Sequence, residues 1–285
     1  MPTRRSPAPR NGRNPLASLI LMDLNELEGR TYGPRAWRAS PDSVRDFVEL
    51  TGDDPDRWAE SAPPGFVAAA LFAVAPDLLA ELYDHSVIHG EQVFTWTRPI
   101  RIDTLFHVTG EVTKVRNRGG VYFLTFEMTV EDGTGPVMAG RSLFLASGES
   151  LAAGQSESER PEPPHSYRGD LSDSQIAASR ADLVKYASAT RDWNPVHWDH
   201  EAGVAAGFPG VVVHGLLQAG WALRAAGSQV DGMAPFSSGR FRFRNPLLPA
   251  RPVAVSVSEA DETLEVTIFD DDVEYLTSTI GRNHE

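Results

Sequence analysis

Residues 186–215 read YASATRDWNPVHWDHEAGVAAGFPGVVVHG, and the fold turns on how this stretch is read. Asn194 precedes Pro195, and a residue before proline is pushed out of the α region, so the helix through Leu183 to Thr190 is expected to stop there. The chain then turns and carries His197 back toward Asp192. At the far end Gly215 opens a second, apolar helix, LLQAGWALRAAG. An acid, an amide, an imidazole and a glycine-opened helix thus fall within thirty residues.

Outward from this stretch the elements come in two similar sets. In the first, Ser40-Pro41-Asp42 caps a helix through Val44, Phe47, Val48 and Leu50. Pro63-Pro64-Gly65 opens the buried helix FVAAALFAVAPDLLAELY, which Pro76 kinks or ends. Four strand-like runs follow at Val87–Trp96, Leu105–Val115, Val121–Val130 and Val137–Ala146. In the second set, a short extended piece near Tyr167 leads to a helix with Ile176, Leu183, Val184 and Tyr186 on its apolar positions. The quoted stretch and its apolar helix come next, then runs at Gly239–Arg244, Val253–Glu259, Leu264–Phe269 and Val273–Ile280.

The punctuation of the two sets lines up. Arg98-Pro99-Ile100 answers Asn245-Pro246-Leu247, and Pro64-Gly65-Phe66-Val67 is matched to Pro209-Gly210-Val211-Val212, which puts Ala69-Ala70 opposite His214-Gly215. A duplication is the economical explanation. TGDDPDRW in the first copy stands where TRDWNPVHW stands in the second, so the first keeps Asp53 and lacks the histidine. The domain reading is a poorly ordered tail over 1–28, a degenerate first domain over 29–147, a Ser/Glu/Pro/Gly linker over 148–164 and a chemistry-bearing domain over 165–285.

Composition narrows the function. The 285 residues are 41% hydrophobic with a formal charge of -13, which supplies a core and argues against a nucleic-acid binder. No cysteine is present, which removes thiolate metal sites, disulfides and cysteine nucleophiles. No apolar run approaches the roughly 20 residues that span a bilayer, so a cytoplasmic protein without membrane partners is expected. Residues 1–22 hold Arg4, Arg5, Arg10 and Arg13 and no acid; they read as a tail rather than an export signal.

Asp192 and His197, brought together by a turn, can hold a water between them, one group taking a proton and the other delivering one. Burial and the negative end of a helix dipole would raise the pKa of Asp192, and Asn194 would fix the geometry. The competing reading makes residues 192–195 a helix stop and His197 a structural histidine. At His214-Gly215, a glycine in the first turn lets an oxygen reach free amides; otherwise it permits close packing of helix on sheet. His89-Gly90 lies in strand-like sequence and reads as structural. Asp199, His200 and Glu201 lack a second cluster with ligand spacing, so no metal is expected.

Tyr186, Ala187, Thr190, Asp192, Asn194, Pro195, His197 and Asp199, followed by Gly207-Phe208 and Val213-His214-Gly215, resemble the hydratase motif of the MaoC-like family. That family holds the (R)-specific enoyl-CoA hydratases and (3R)-hydroxyacyl-thioester dehydratases. The first half, with HGEQVFTWTRPI, looks like the degenerate domain of double hot dog members. The resemblance implies an α+β double hot dog in which an antiparallel sheet wraps a long helix, twice over. It implies Asp192 and His197 as the catalytic pair, Asn194 as support, and Gly215 with His214 as the thioester-binding positions, without metal or organic cofactor. The implied partner is an acyl-CoA or acyl carrier protein thioester, and a homodimer is allowed. Arg191 departs from the motif, which usually has glycine there. A hot dog thioesterase and a non-catalytic acyl-binding subunit are the alternatives.

Overall fold

The computed structural model describes residues 23–82, 85–148, 175–271 and 273–283. The first half runs β1 (Thr31–Trp37), α1 (Pro41–Thr51), a 3-10 turn (Pro64–Val67) leading into α2 (Ala68–Val74), α3 (Pro76–Glu81), β2 (Ser86–Trp96), β3 (Phe106–Arg118), β4 (Val121–Asp132) and β5 (Gly135–Ser147). The second half runs β6 (Gln175–Ile176), α4 (Arg180–Thr190), a 3-10 turn (Pro195–His197), α5 (His200–Ala205), α6 (Gly215–Gly227), β7 (Phe236–Phe243), β8 (Val253–Ala260), β9 (Thr263–Asp270) and β10 (Val273–Arg282). The apolar helix of the first half breaks at Pro76, as a ring without an N–H requires.

All ten described strands form one antiparallel sheet in the order β1-β3-β4-β5-β2-β7-β10-β9-β8-β6. Read outward from the centre, each side has the same connectivity, so the duplication is visible in the topology. The halves meet where β2 pairs β7, from Glu91 opposite Arg242 to Thr95 opposite Ser238. Outside, Glu91 accepts from Arg240 and Arg242 at 2.8 and 3.2 Å; inside, the Phe94 and Phe241 rings meet at 6.3 Å. Strand alternation feeds one core: Leu264, Val266 and Ile268 of β9 and Leu124, Phe126 and Val130 of β4 are fully buried. This is the expected α+β double hot dog, a sheet wrapped twice around an apolar helix.

The two buried helical segments touch through glycine. A Cβ on Gly65 would come within 3.2 Å of the Gly220 Cα, and one on Gly220 within 2.9 Å of Thr51. Trp221 Nε1 donates across the halves to the Leu50 carbonyl at 3.2 Å. Arg57, from the TGDDPDRW segment, donates to the carbonyls of Gly227, Val230 and Gly232 at 2.7 to 3.1 Å. It places a cation at the negative end of α6.

Several expectations need correction. Ile176 belongs to β6, not to the helix, and Val184 on α4 is 46% exposed. The helix is fixed instead by the capping box of Ser179 and Asp182. Leu24 and Leu27 are fully buried in a 3-10 turn capped by Asp23, so the tail ends before residue 24. The extended piece near Tyr167, residues 1–22 and nearly all of 148–164 lie outside the described residues.

The alignment of the helix starts also shifts. Ala62 N–H bonds the Ile100 carbonyl and Val213 N–H bonds the Leu247 carbonyl, both at 2.8 Å, and Ile100 and Leu247 close the matching turns. Ala62 is therefore the counterpart of Val213, and Pro63-Pro64, not Ala69-Ala70, stands opposite His214-Gly215. The Pro-Gly-x-Val likeness misled because the second copy inserts the Pro195–His197 turn and α5 before its central helix.

The departure at Arg191 does not alter the loop. Arg191 ends α4 at φ 68°, ψ 19°, and Gly52 ends α1 at φ 67°, ψ 30°. A left-handed residue caps both helices, and a side chain is disfavoured there. Arg191→Gly is expected to stabilise the protein by about 1 kcal/mol, read as a raised urea midpoint. Arg57→Ala is expected to cost about 1–3 kcal/mol, read as a lowered midpoint in the same titration.

Candidate active site

Four local devices assemble the site. Thr190 Oγ1 donates to the Tyr186 carbonyl at 2.8 Å, closing the last turn of α4, and the left-handed Arg191 then drops Asp192 into the interior at 6% exposure. Asn194 accepts the Val196 N–H at 3.4 Å and so caps the turn that returns His197. Asp199 caps α5 by accepting from the Glu201 and Ala202 amides. His197 Nδ1 lies 2.8 Å from the Val212 carbonyl; a carbonyl accepts only, so Nδ1 carries the proton and Nε2 presents its lone pair.

His214 is fully buried and caps α6 without a side-chain cap bond. Its Nε2–H donates to the Asp192 carbonyl at 3.3 Å. Its ring stacks on His197 at 3.8 Å and 25° and meets Tyr186 at 4.6 Å. The sequence grouped the His214 side chain with Gly215 as a thioester contact; the structure commits that side chain to the Asp192 backbone and to the neighbouring rings.

Burial raises the pKa of Asp192, against the pull of His197 and of the Asn194 backbone N–H. Burial also raises Tyr186 well above its ordinary value, with Asp192 adding to the effect. His214 is pushed well below its ordinary value, first by burial and then by His197, so it stays neutral. One carboxylate or imidazole atom from each of Asp192, His197 and His214 lies within 4.8 Å of the others. The stacked rings hold their in-plane lone pairs nearly parallel rather than convergent, a poor arrangement for a shared cation.

Gly215 begins α6, and the first amides of a helix have no partner within it. A Cβ on Gly215 would stand 2.9 Å from the Phe243 ring, so the glycine is required for Phe243 to close over the helix end. The close-packing reading of Gly215 therefore holds, and it leaves the backbone amide intact. The first copy differs at each point. Pro64 has no N–H, Asp53 is only half-buried and accepts from Asp54 N–H at 2.9 Å, and nothing in TGDDPDRW replaces His197.

The sequence passed over one neighbour. His89 of β2, from the other half, is close enough to influence His197 electrostatically, and its ring lies 5.0 Å from Phe243. The paired twist of His89-Gly90 was the available signal.

Residues 165–277 match the family model described as a MaoC like domain. A UPF0336 protein of Clavibacter michiganensis is 34% identical over 39% of this chain and 85% of its own length. The 3-hydroxyacyl-thioester dehydratase X of Mycobacterium tuberculosis is 23% identical over 87% of each chain. The crystal structure of HtdX from the same organism superposes with a TM-score of 0.69 at 21% identity, over 88% of this chain and 99% of that one. Among the described residues no helix is long and apolar enough to cross a membrane. With its two-fold repeated sheet and the motif on the α4–α6 segment, the chain belongs to the MaoC-like family of hot dog hydratases and dehydratases.

Proposed function

We propose that the protein adds water to 2-enoyl thioesters, and removes it from (3R)-3-hydroxyacyl thioesters, at Asp192 and His197. The observation that carries this is the pairing of a buried carboxylate with an imidazole whose Nε2 is left free, at the open amide end of α6. The thioester oxygen is held at the Gly215 amide, where the helix end stabilises the enolate that forms. Polarisation of the carbonyl makes C3 electrophilic. As the oxygen of a water held by the pair bonds C3, one of the two groups takes its proton, and the other returns a proton to C2. Protons balance, and the reverse path eliminates water. Asn194 and the His214 imidazole act as positioning residues, the first on the turn and the second on the Asp192 carbonyl. The acyl group is carried by coenzyme A or an acyl carrier protein.

Hydration of enoyl-CoA substrates of graded chain length tests the reading. Asp192→Asn and His197→Ala are each expected to reduce kcat by about 10²- to 10⁴-fold, and near-normal turnover in either would remove the pair. Release of free thiol without hydration would assign a thioesterase instead, and an inert wild-type chain would leave an acyl-binding role.

The raised pKa of Asp192 carries a stability consequence. Ionised Asp192 is less favourable in the folded state than in the unfolded one, a cost present in full above the folded pKa and absent below the unfolded value of about 3.9. Asp192→Asn is therefore expected to be inactive yet more stable than wild type at neutral pH. Its advantage should shrink as pH falls through the raised folded pKa and vanish below the unfolded one, as followed by thermal melts across that range.

A further inference from the structure

The strand that closes this end of the seam comes from the half without the acid-imidazole pair. In β2, Gln92, Phe94 and Trp96 are buried and face the helices, so strict alternation would turn His89 outward. A bulge intervenes. Gln92 pairs with Ser142 and Glu91 with Leu143, but His89 pairs with Phe144, which leaves Gly90 as the extra residue and inverts the parity. A Cβ at Gly90 would strike Leu145 at 2.7 Å.

The inverted parity puts His89 on the inner face, 4.7 Å from the Phe144 ring and 5.0 Å from Phe243. Phe243 is the ring that closes over Gly215. His89 Nε2 is inaccessible to solvent and has no hydrogen-bond partner among the described residues. Burial holds the ring's pKa at about 4, against hydrogen bonding to the Glu91 backbone and the Gln92 side chain. The ring is therefore neutral at physiological pH. Its other nitrogen donates to those oxygens, and Nε2 is an acceptor.

The duplication provides an internal comparison. β7 carries the same bulge: Gly239 pairs with Ile280 and Ser238 with Gly281, but Phe236 pairs with Arg282, skipping Ser237. Phe236 is thus the counterpart of His89, and it meets Trp96, the counterpart of Phe243, at 6.4 Å. At the end with Pro64 the position is a fully apolar ring. At the end with Asp192 and His197 it is an imidazole with an unused acceptor.

We propose that His89 is a specificity-determining residue, its Nε2 accepting a hydrogen bond from a hydroxyl on the acyl chain beyond C3, so that hydroxylated acyl thioesters are the preferred substrates. This rests on the hydro-lyase reading above. With the thioester oxygen at Gly215 the thiol arm has to leave toward solvent, whereas His89 lies on the inner face between Phe144 and Phe243, where the acyl side reaches. A plain alkyl chain there would leave a desolvated acceptor unpaired, and a hydroxyl would satisfy it.

The test is hydration of 2-octenoyl-CoA against three analogues bearing a hydroxyl at carbon five, six or seven, with wild type, His89→Phe and His89→Gln. His89→Phe copies the residue at the other end of the seam; His89→Gln keeps an acceptor. Wild type is expected to favour at least one hydroxylated analogue by roughly 10- to 100-fold in kcat/KM. His89→Phe should abolish that preference while retaining activity on 2-octenoyl-CoA, and His89→Gln should restore part of it. Equal rates of wild type on all four substrates would overturn the proposal and leave the hydro-lyase reading standing. A uniform loss on all four in both variants, with unchanged thermal melts, would also overturn it, by placing the imidazole at the thioester rather than the acyl chain. A wild type that hydrates none of the four would overturn both.

Discussion

The antiparallel pairing of β2 with β7 is the constraint on which the rest depends. It joins two five-stranded halves into one sheet and sets their buried helices side by side, close enough that Gly65 and Gly220 must lack side chains. It also makes each helix start face a strand of the opposite half: Phe243 and His89 at Gly215, Trp96 and Phe236 at Pro64. Neither half is self-sufficient at the place where chemistry would occur.

Because the two ends share one framework, their differences can be compared position by position. Thr51 and Thr190 bond back to Phe47 and Tyr186 alike, and left-handed residues follow both. Beyond that the ends part. One acid is buried beside an imidazole and the other is half-buried; one helix begins with an amide and the other with a proline. The loop that lost the chemistry gained a mechanical task, since its Arg57 closes the carbonyl end of the helix that serves the other site.

The repeat, the strands and the helix stop at Asn194-Pro195 were legible in the sequence because proline, glycine and alternation act locally. The nearness of Asp192 to His197 was legible for the same reason. The task of His214 was not, since its bond to the Asp192 carbonyl depends on how α6 packs. Nor was the inward turn of His89, which needs a bulge whose effect is seen only through pairing with β5. The offset between the two helix starts was misread because Pro-Gly-x-Val recurs by chance of composition, while the hydrogen bonds of Ala62 and Val213 reveal the true match. Ile176 and Val184 fit an apolar helical face on paper, yet pairing with β8 claimed the first and solvent the second.

Pro64 has one more implication. In an assembly of identical subunits every change at one end is copied at the other, so a bulky or polar wall can be tried only in duplicate. Fusion of two copies removes that symmetry. A proline at a helix start deletes a backbone donor that no side-chain change elsewhere can supply, so the first half is released from serving a ligand of its own. Its strands are then free to be shaped as the wall of a neighbour's chamber, and a single chain can hold a lopsided molecule that a symmetric pair would have to accommodate twice.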